Sequence, residues 1–274
     1  MLINSKPVLN KDEHIVHLQG DVKTKKYLNL KITHIDESEQ RMLVLPQFVK
    51  DTAPTAVDLR SKMPPIVDQG NIGSCTANAL CALIGFLTPK VSGSRLFLYY
   101  NGRAKIGTHG YDSGSYIHDG VYSLQSNGIC QESLWPYNTK KFTIKPPTNC
   151  YDMALKHKIL NVRNIRNTLN SMKSALNSGI PFVVGILIFP SFMTKQVANT
   201  GMVPMPTSRE QYLGGHAVCC VGYDDSKKCW LMRNSWGTSW GVKGYFYLPY
   251  AYLTNTNYTS DLWCLLTITN PYQE

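Results

Sequence analysis

Three stretches of the 274-residue chain carry side chains that could do covalent chemistry together. In Asp68-Gln-Gly-Asn-Ile-Gly-Ser-Cys75, a glycine-rich turn delivers a cysteine to the start of an apolar run, Cys75 to Leu87. Exposed amide N–H groups and the helix dipole at such a start favour thiolate over thiol, and the thiolate is the nucleophile. In Leu213-Gly-Gly-His216-Ala-Val-Cys-Cys-Val-Gly-Tyr223, a glycine-flanked imidazole enters an apolar strand, where it can take up and return a proton. In Trp230-Leu-Met-Arg-Asn234-Ser-Trp236-Gly-Thr-Ser-Trp240-Gly, a carboxamide stands at the end of another strand, before two Trp-Gly pairs. Taken singly, each has a plain structural explanation: a core thiol, a structural histidine, a turn-forming asparagine.

Together they resemble the papain-like cysteine peptidases, in order, spacing and flanking residues. Gln69, Gly70, Gly73, Ser74 and Cys75 resemble the family's Gln-Gly-x-x-Gly-Ser-Cys signature, Gly215-His216-Ala217 its histidine segment, and Asn234-Ser-Trp-Gly its asparagine segment. His216 follows Cys75 by 141 residues, within the roughly 130–150 that this family shows. The likeness starts near Val57-Asp-Leu-Arg60, similar to the family's mature N-terminus, and covers about four-fifths of the chain. It implies Cys75 as nucleophile, His216 as general base and acid, the two stored as a thiolate–imidazolium pair, and Asn234 holding the ring. It also implies Trp236 as a shield for that bond and Gln69 as an oxyanion-hole donor beside the amide of Cys75. Around Tyr111-Asp-Ser-Gly-Ser115 the chain resembles the strip that binds substrate backbone, with Gly114-Ser115 where the family has Gly-Gly. Gly73, Ser74, Gly114, Ser115, Gly215 and Trp236 are accordingly the expected substrate-binding residues. Two departures stand out. Thr76 replaces a usual tryptophan, and Ile72 replaces a disulfide-forming cysteine, so that bridge cannot form.

The implied activity is peptide-bond hydrolysis through a thioester acyl-enzyme, on a protein or peptide substrate, with no metal or organic cofactor. Two rivals share the residues: a thiol acyltransferase or deconjugating enzyme on the same scaffold, and a catalytically silent protein that binds through the cleft or a basic face.

The elements that must position these groups can be read from pattern. Helices are expected over Cys75 to Leu87 with Ser74 as cap, Ser94 to Arg103, Ile117 to Asn127 and Thr168 to Asn177. Strands are expected at Phe182–Phe189, His216–Tyr223, Cys229–Asn234, Gly244–Leu248 and Leu262–Thr269, where Val, Ile, Phe and Tyr come in short runs. The result is an α+β, two-lobed papain-like fold, helical over about 65–180 and an antiparallel, barrel-like lobe over about 181–274, with a cleft between. Ahead of the peptidase domain (53–274), residues 1–52 carry strand-like runs at His14–Leu18, Tyr27–Thr33 and Arg41–Leu45. They read as a β-rich candidate propeptide lying over or near the cleft until cut, which would make the chain a zymogen.

Composition sets the outer limits. With 43% hydrophobic and 17% charged residues the chain can bury a sizeable core, and no apolar stretch is long enough for a membrane span. The N-terminus lacks the apolar core of a secretory signal, so the expected location is cytoplasmic or virion-associated, as in abbreviated relatives from bacteria and large DNA viruses. Of the +10 net charge, much sits in 139–173, where Lys140, Lys141, Lys145, Lys156, Lys158, Arg163, Arg166 and Lys173 face only Asp152. This face could attract nucleic acid or another acidic surface, but no nucleic-acid motif accompanies it. A monomer is expected. The eight cysteines show no paired metal spacing, and apart from Cys75 most read as reduced core thiols, with Cys130–Cys150 a conceivable bridge.

Overall fold

The structure, a computed structural model, describes residues 15–17, 25–32 and 53–269. The expected strand at Arg41–Leu45 lies outside the described residues.

Helix α1 (Cys75–Leu87) is the axis of the molecule. Its residues are apolar or small on all sides, and Cys75 to Gly85 are buried, as expected of a helix with packing partners all round. α2 (Arg95–Ala104) and α3 (Ile117–Ser126) pack on one flank of it. Gly120 permits the close approach of α3, because a Cβ there would stand 2.5 Å from Leu80 Cδ1. α2 starts where Ser94 accepts from the amide of Phe97, and α5 (Leu169–Asn177) where Thr168 accepts from Ser171, both side-chain caps on free amides. Ser74 stands at the N-cap of α1 but makes no side-chain cap bond. Its hydroxyl meets Tyr137 Oη at 2.5 Å and accepts from Asn78 Nδ2 at 2.9 Å instead.

On the other flank of α1 lies an antiparallel sheet in the order β4-β9-β5-β6-β7-β8. The strands are β4 (Ile159–Asn164), β5 (Phe182–Ile188), β6 (Gly214–Asp224), β7 (Cys229–Arg233), β8 (Tyr245–Pro249) and β9 (Thr259–Ile268). β3 (Ala56–Asp58) adds to β6. The short α4 (Thr148–Ala154), α6 (Lys195–Thr200) and α7 (Tyr250–Leu253) complete the chain. β6 is buried from Gly214 to Tyr223, which accounts for its run of small and β-branched residues. The registers Ile186↔His216 with β5 and Cys219↔Arg233 with β7 set the chemistry. Because β6 and β7 run antiparallel, the residue after β7 comes to lie alongside the start of β6.

Near the N-terminus, β1 (Ile15–His17) and β2 (Lys25–Tyr27) form a two-stranded antiparallel ribbon. Directly after it, residues 28–32 run between the helical flank and the sheet, with Leu28 and Leu30 buried.

All eight cysteines are reduced and buried. Ile72, standing where the family's bridging cysteine would be, is a core residue at 4% exposure.

Candidate active site

Cys75 opens α1, and its thiol accepts from the backbone N–H of Ala217, the residue after His216, and from that of Thr76. Helix start and strand start therefore meet at the sulfur. His216 is fully buried on β6, and its Nε2 lies 2.8 Å from Asn234 Oδ1. That oxygen also accepts from Ser235 N at 2.8 Å. An Oδ1 acceptor fixes Nε2 as the protonated nitrogen. The Trp236 ring stacks on the imidazole at 4.7 Å between centroids and is 1% exposed. Phe192 and Trp240 pack behind it.

Gln69 is held at several points. Its N–H donates to Ser235 O at 2.8 Å, its Nε2 to Ile72 O at 3.1 Å, and its Oε1 accepts from Ser235 Oγ at 2.8 Å. Tyr137 Oη donates to Gln69 O at 2.7 Å. The strip before Gln69 is tied to the same loop by Arg233, whose guanidinium donates to Pro64 O and Pro65 O at 2.6 Å each. The structure thus brings Gln69, Cys75, His216, Asn234 and Trp236 near one another from three separate stretches of sequence.

Burial pushes the Cys75 pKa up to about 11, and the amide bonds from Ala217 and Thr76 oppose that only in part. Loss of hydration around the enclosed sulfur works against the thiolate that a helix start favours. The neighbouring Asp112 carboxylate adds to the rise.

The N-terminal segment runs along the residues that flank this site. Asn29 and Leu30 form parallel bridges to Gly215 and Ser115 respectively. Leu30 N donates to Gly215 O at 3.0 Å and Lys31 N to Ser115 O at 3.3 Å. Asn29 fills the space between two glycines: a Cβ on Gly73 would fall 2.4 Å from Asn29 Cβ, and one on Gly114 would fall 1.5 Å from Asn29 O. Leu30 seats over Gly185, where a Cβ would lie 2.7 Å from Leu30 Cδ2 and 3.3 Å from Ser260 Oγ. Gly73, Gly114, Ser115 and Gly215 therefore all touch this segment or its immediate track. Ser74 stands apart from it, its hydroxyl committed to Tyr137 and Asn78. Thr76 turns its hydroxyl to Ser115 O at 3.2 Å, linking α1 to the same strip.

Sequence reasoning passed over Asp112 and Asn29. Both oxygens of the Asp112 carboxylate accept from Gly73 N at 3.0 Å, its carbonyl accepts from Asn29 Nδ2 at 3.3 Å, and Tyr99 Oη donates to it. An aspartate three residues before a Ser-Tyr pair carries no pattern of its own, and Asn29 gains meaning only from contacts far along the chain. Among the described residues, no three His, Cys, Asp or Glu side chains cluster closely enough to hold a metal ion, and no helix is long and apolar enough to cross a membrane.

Comparison with known proteins agrees with this geometry. The family model described as papain family cysteine protease matches residues 53–259. An uncharacterized peptidase C1-like protein of Acanthamoeba polyphaga mimivirus is 40% identical over 219 residues, 75% of this chain and 70% of its own. Cysteine proteinase 1 of Entamoeba histolytica is 34% identical over 212 residues, 73% of this chain and 64% of its own. Among solved structures, xylellain, a cysteine protease from Xylella fastidiosa, superposes with a TM-score of 0.79 at 36% identity, covering 90% of this chain and 99% of that one. The two-lobed α+β architecture is thus shared with a solved protease. The chain belongs to the papain family of cysteine proteases, hydrolases that act on protein or peptide substrates.

Proposed function

We propose that the chain is a cysteine endopeptidase held closed by its own N-terminal segment. Residues 1–52 act as the pro-segment and 53–274 as the peptidase domain, with a helical lobe over about 65–180 and a sheet lobe over about 181–274. The observation that carries this reading is the passage of Leu28 to Ile32 between Gly73, Gly114 and Ser115 on one side and Gly185 and Gly215 on the other.

With the segment withdrawn, water and substrate reach the sulfur. Desolvation, the largest cause of the raised thiol pKa, then falls away, and proton transfer to His216 Nδ1 becomes favourable. The thiolate attacks the substrate carbonyl carbon. The developing oxyanion takes hydrogen bonds from the Cys75 amide and Gln69 Nε2, the latter exchanging its bond to Ile72 O for one to substrate. His216, now an imidazolium held by Asn234, gives its proton to the departing amine. Water, deprotonated by the same ring, releases the acyl group from the thioester. Trp236 keeps bulk water off the His216–Asn234 bond.

Both sides of this site come from one polypeptide, which supports action as a monomer. The 139–173 basic stretch takes no part in it.

The test is a peptide-hydrolysis assay under reducing conditions on the full chain and on Cys75→Ala, with intact-mass mapping of both N-termini over time. Turnover that appears as the wild-type N-terminus is trimmed, with Cys75→Ala intact and inactive, is the expected result. An intact wild-type chain with full activity from the first minute would overturn the pro-segment, and equal hydrolysis by Cys75→Ala would overturn the nucleophile.

A further inference from the structure

The peptide unit between Ile72 and Gly73 is held on both of its edges. Its oxygen, Ile72 O, accepts from Gln69 Nε2 at 3.1 Å and from Ser74 N at 2.9 Å. Its N–H, on Gly73, donates to both carboxylate oxygens of Asp112 at 3.0 Å each. Of these three partners, Gln69 and Ser74 belong to the turn itself, and Asp112 comes from 39 residues further along the chain. Asp112 is held in its turn. Tyr99 Oη donates to Asp112 Oδ1 and accepts from Gly114 N at 3.2 Å. The Arg103 guanidinium lies 3.9 Å over the Tyr99 ring and donates to His109 O at 3.2 Å and Tyr111 O at 2.6 Å, which fixes the loop that carries Asp112. Burial and the Asp112 charge keep the Tyr99 phenol well above its ordinary pKa, so it stays a donor.

The Ile72 carbonyl decides which way round the Gln69 carboxamide sits. A carbonyl only accepts, so it calls for the NH2 end of Gln69 beside it and leaves Oε1 to Ser235 Oγ at 2.8 Å. With this peptide turned over, Gly73 N–H would face the carboxamide, and only Oε1 can meet an N–H. Gln69 would then present an acceptor where acyl transfer develops a negative oxygen. Glycine at position 73 removes most of the steric barrier to that turn, and with isoleucine at position 72 there is no disulfide to prevent it. The Asp112 carboxylate prevents it instead. It accepts and has no proton to offer, so a turned peptide would set a carbonyl oxygen against its negative charge.

We propose that Asp112 is a positioning residue, which fixes the Ile72–Gly73 peptide with its carbonyl towards Gln69 and so keeps Gln69 Nε2 as the group offered to the oxyanion. This rests on the reading of Gln69 as an oxyanion-hole donor. Through Tyr99 and Gly114 the same carboxylate ties the oxyanion side of the site to the 111–115 strip. Asp112 also bears on the sulfur directly, its charge adding to the rise of the Cys75 pKa. The two routes differ in sign. Acting through the thiol, loss of the charge favours the thiolate and speeds attack; acting through Gln69, loss of the carboxylate slows turnover.

The test is a double-mutant cycle on the full chain, with Asp112→Ala made alone and together with Gln69→Ala. kcat and KM for one neutral peptide are read per active site, titrated with a thiol-directed epoxide so that differences in segment release drop out. The substitution spares the Asp112 carbonyl, which accepts from Asn29 Nδ2 at 3.3 Å. Expected beside an intact Gln69 is a fall in kcat of about tenfold or more with KM changed by less than about threefold, and beside Gln69→Ala a further change under about twofold, because residues that act as one unit are not additive. Tyr99→Phe keeps the ring under Arg103 and removes only the hydroxyl; it should repeat the pattern at smaller size, and decides the matter if Asp112→Ala does not fold. An equal fold loss in both backgrounds, a loss confined to KM, or faster turnover overturns the proposal. An unaltered kcat in Gln69→Ala sinks the reading of Gln69 on which it stands, and hydrolysis lost in Cys75→Ala establishes the peptidase separately.

Discussion

The carbonyl oxygen of Asn29 occupies the place a side chain on residue 114 would need, 1.5 Å from where a Cβ on Gly114 would stand. Gly114, at φ +67°, is therefore both a conformational and a steric requirement of the covered state. The segment is held by backbone bonds at Gly215 and Ser115 and by two buried leucines, and that anchorage can be weakened from the segment's own side.

Leu30→Ala should do so. Truncating a buried leucine costs about 2–5 kcal/mol in a packed core, and about 1.4 kcal/mol is a tenfold shift in population. Peptide hydrolysis by the full chain should rise at least tenfold before any trimming is visible by mass. An unchanged initial rate would mean that Leu30 does not hold the segment in place.

Alkylation of Cys75 should report the same equilibrium through pH. With the thiol pushed up to about 11 in the covered chain, the thiolate is scarce below that value and grows about tenfold per pH unit towards it. Iodoacetamide labelling of the intact chain should thus be slow at neutral pH and climb steadily into the alkaline range. In Leu30→Ala the climb should begin at lower pH. Mass spectrometry of the Cys75 peptide measures both, and superimposable profiles would contradict the link between covering and acidity.

Gln69→Ala should lower kcat by about a hundredfold or more while KM changes little, since one oxyanion-hole donor contributes roughly 2.7–4 kcal/mol in the transition state alone. Steady-state kinetics on one neutral peptide decides it. A rise in KM at constant kcat would place Gln69 in ground-state binding instead.

Asn234→Ala removes the acceptor at 2.8 Å from His216 Nε2. A hydrogen bond to a charged group contributes about 1.5–3 kcal/mol, so kcat/KM should fall roughly ten- to a hundredfold. The limb of the pH–rate profile governed by the imidazole should shift with it.

Gly185→Val should close the pocket now filled by Leu30, because a Cβ there already lies 2.7 Å from Leu30 Cδ2. Peptides with a large aliphatic residue should lose kcat/KM relative to alanine-containing ones, read from paired substrates. Unaltered selectivity would show that this pocket does not sort substrates.

Much of this arrangement was legible in the sequence because the strongest signals are local. α1 begins and ends as expected, since a glycine turn precedes Cys75 and Thr88-Pro89 follows Leu87. β6 and β7 were plain from their apolar runs, and His216 and Asn234 came with them. Among the elements that were missed, α4 and β4 show two different reasons. α4 has only seven residues behind a Pro-Pro pair, too short for a helical period to show. β4, Ile-Leu-Asn-Val-Arg-Asn, alternates poorly because a register shift interrupts its pairing with β9. The basic stretch looked unpaired in one dimension, yet Lys173 bonds Asp225, and Lys141 and Lys145 lie over Trp135 and Tyr151. The alternation of Leu28, Leu30 and Ile32 announced an extended strand. Its partners, Gly215 and Ser115, lie on two different lobes, and no local pattern encodes such a sandwich.

The bare walls around Asn29 have a wider consequence. If a client follows the path of Asn29 under the proposed function, main chain alone at Gly73, Gly114 and Gly215 would leave the trench indifferent to side-chain identity at that level. Discrimination among clients would then fall on side pockets such as the one at Gly185 that holds Leu30.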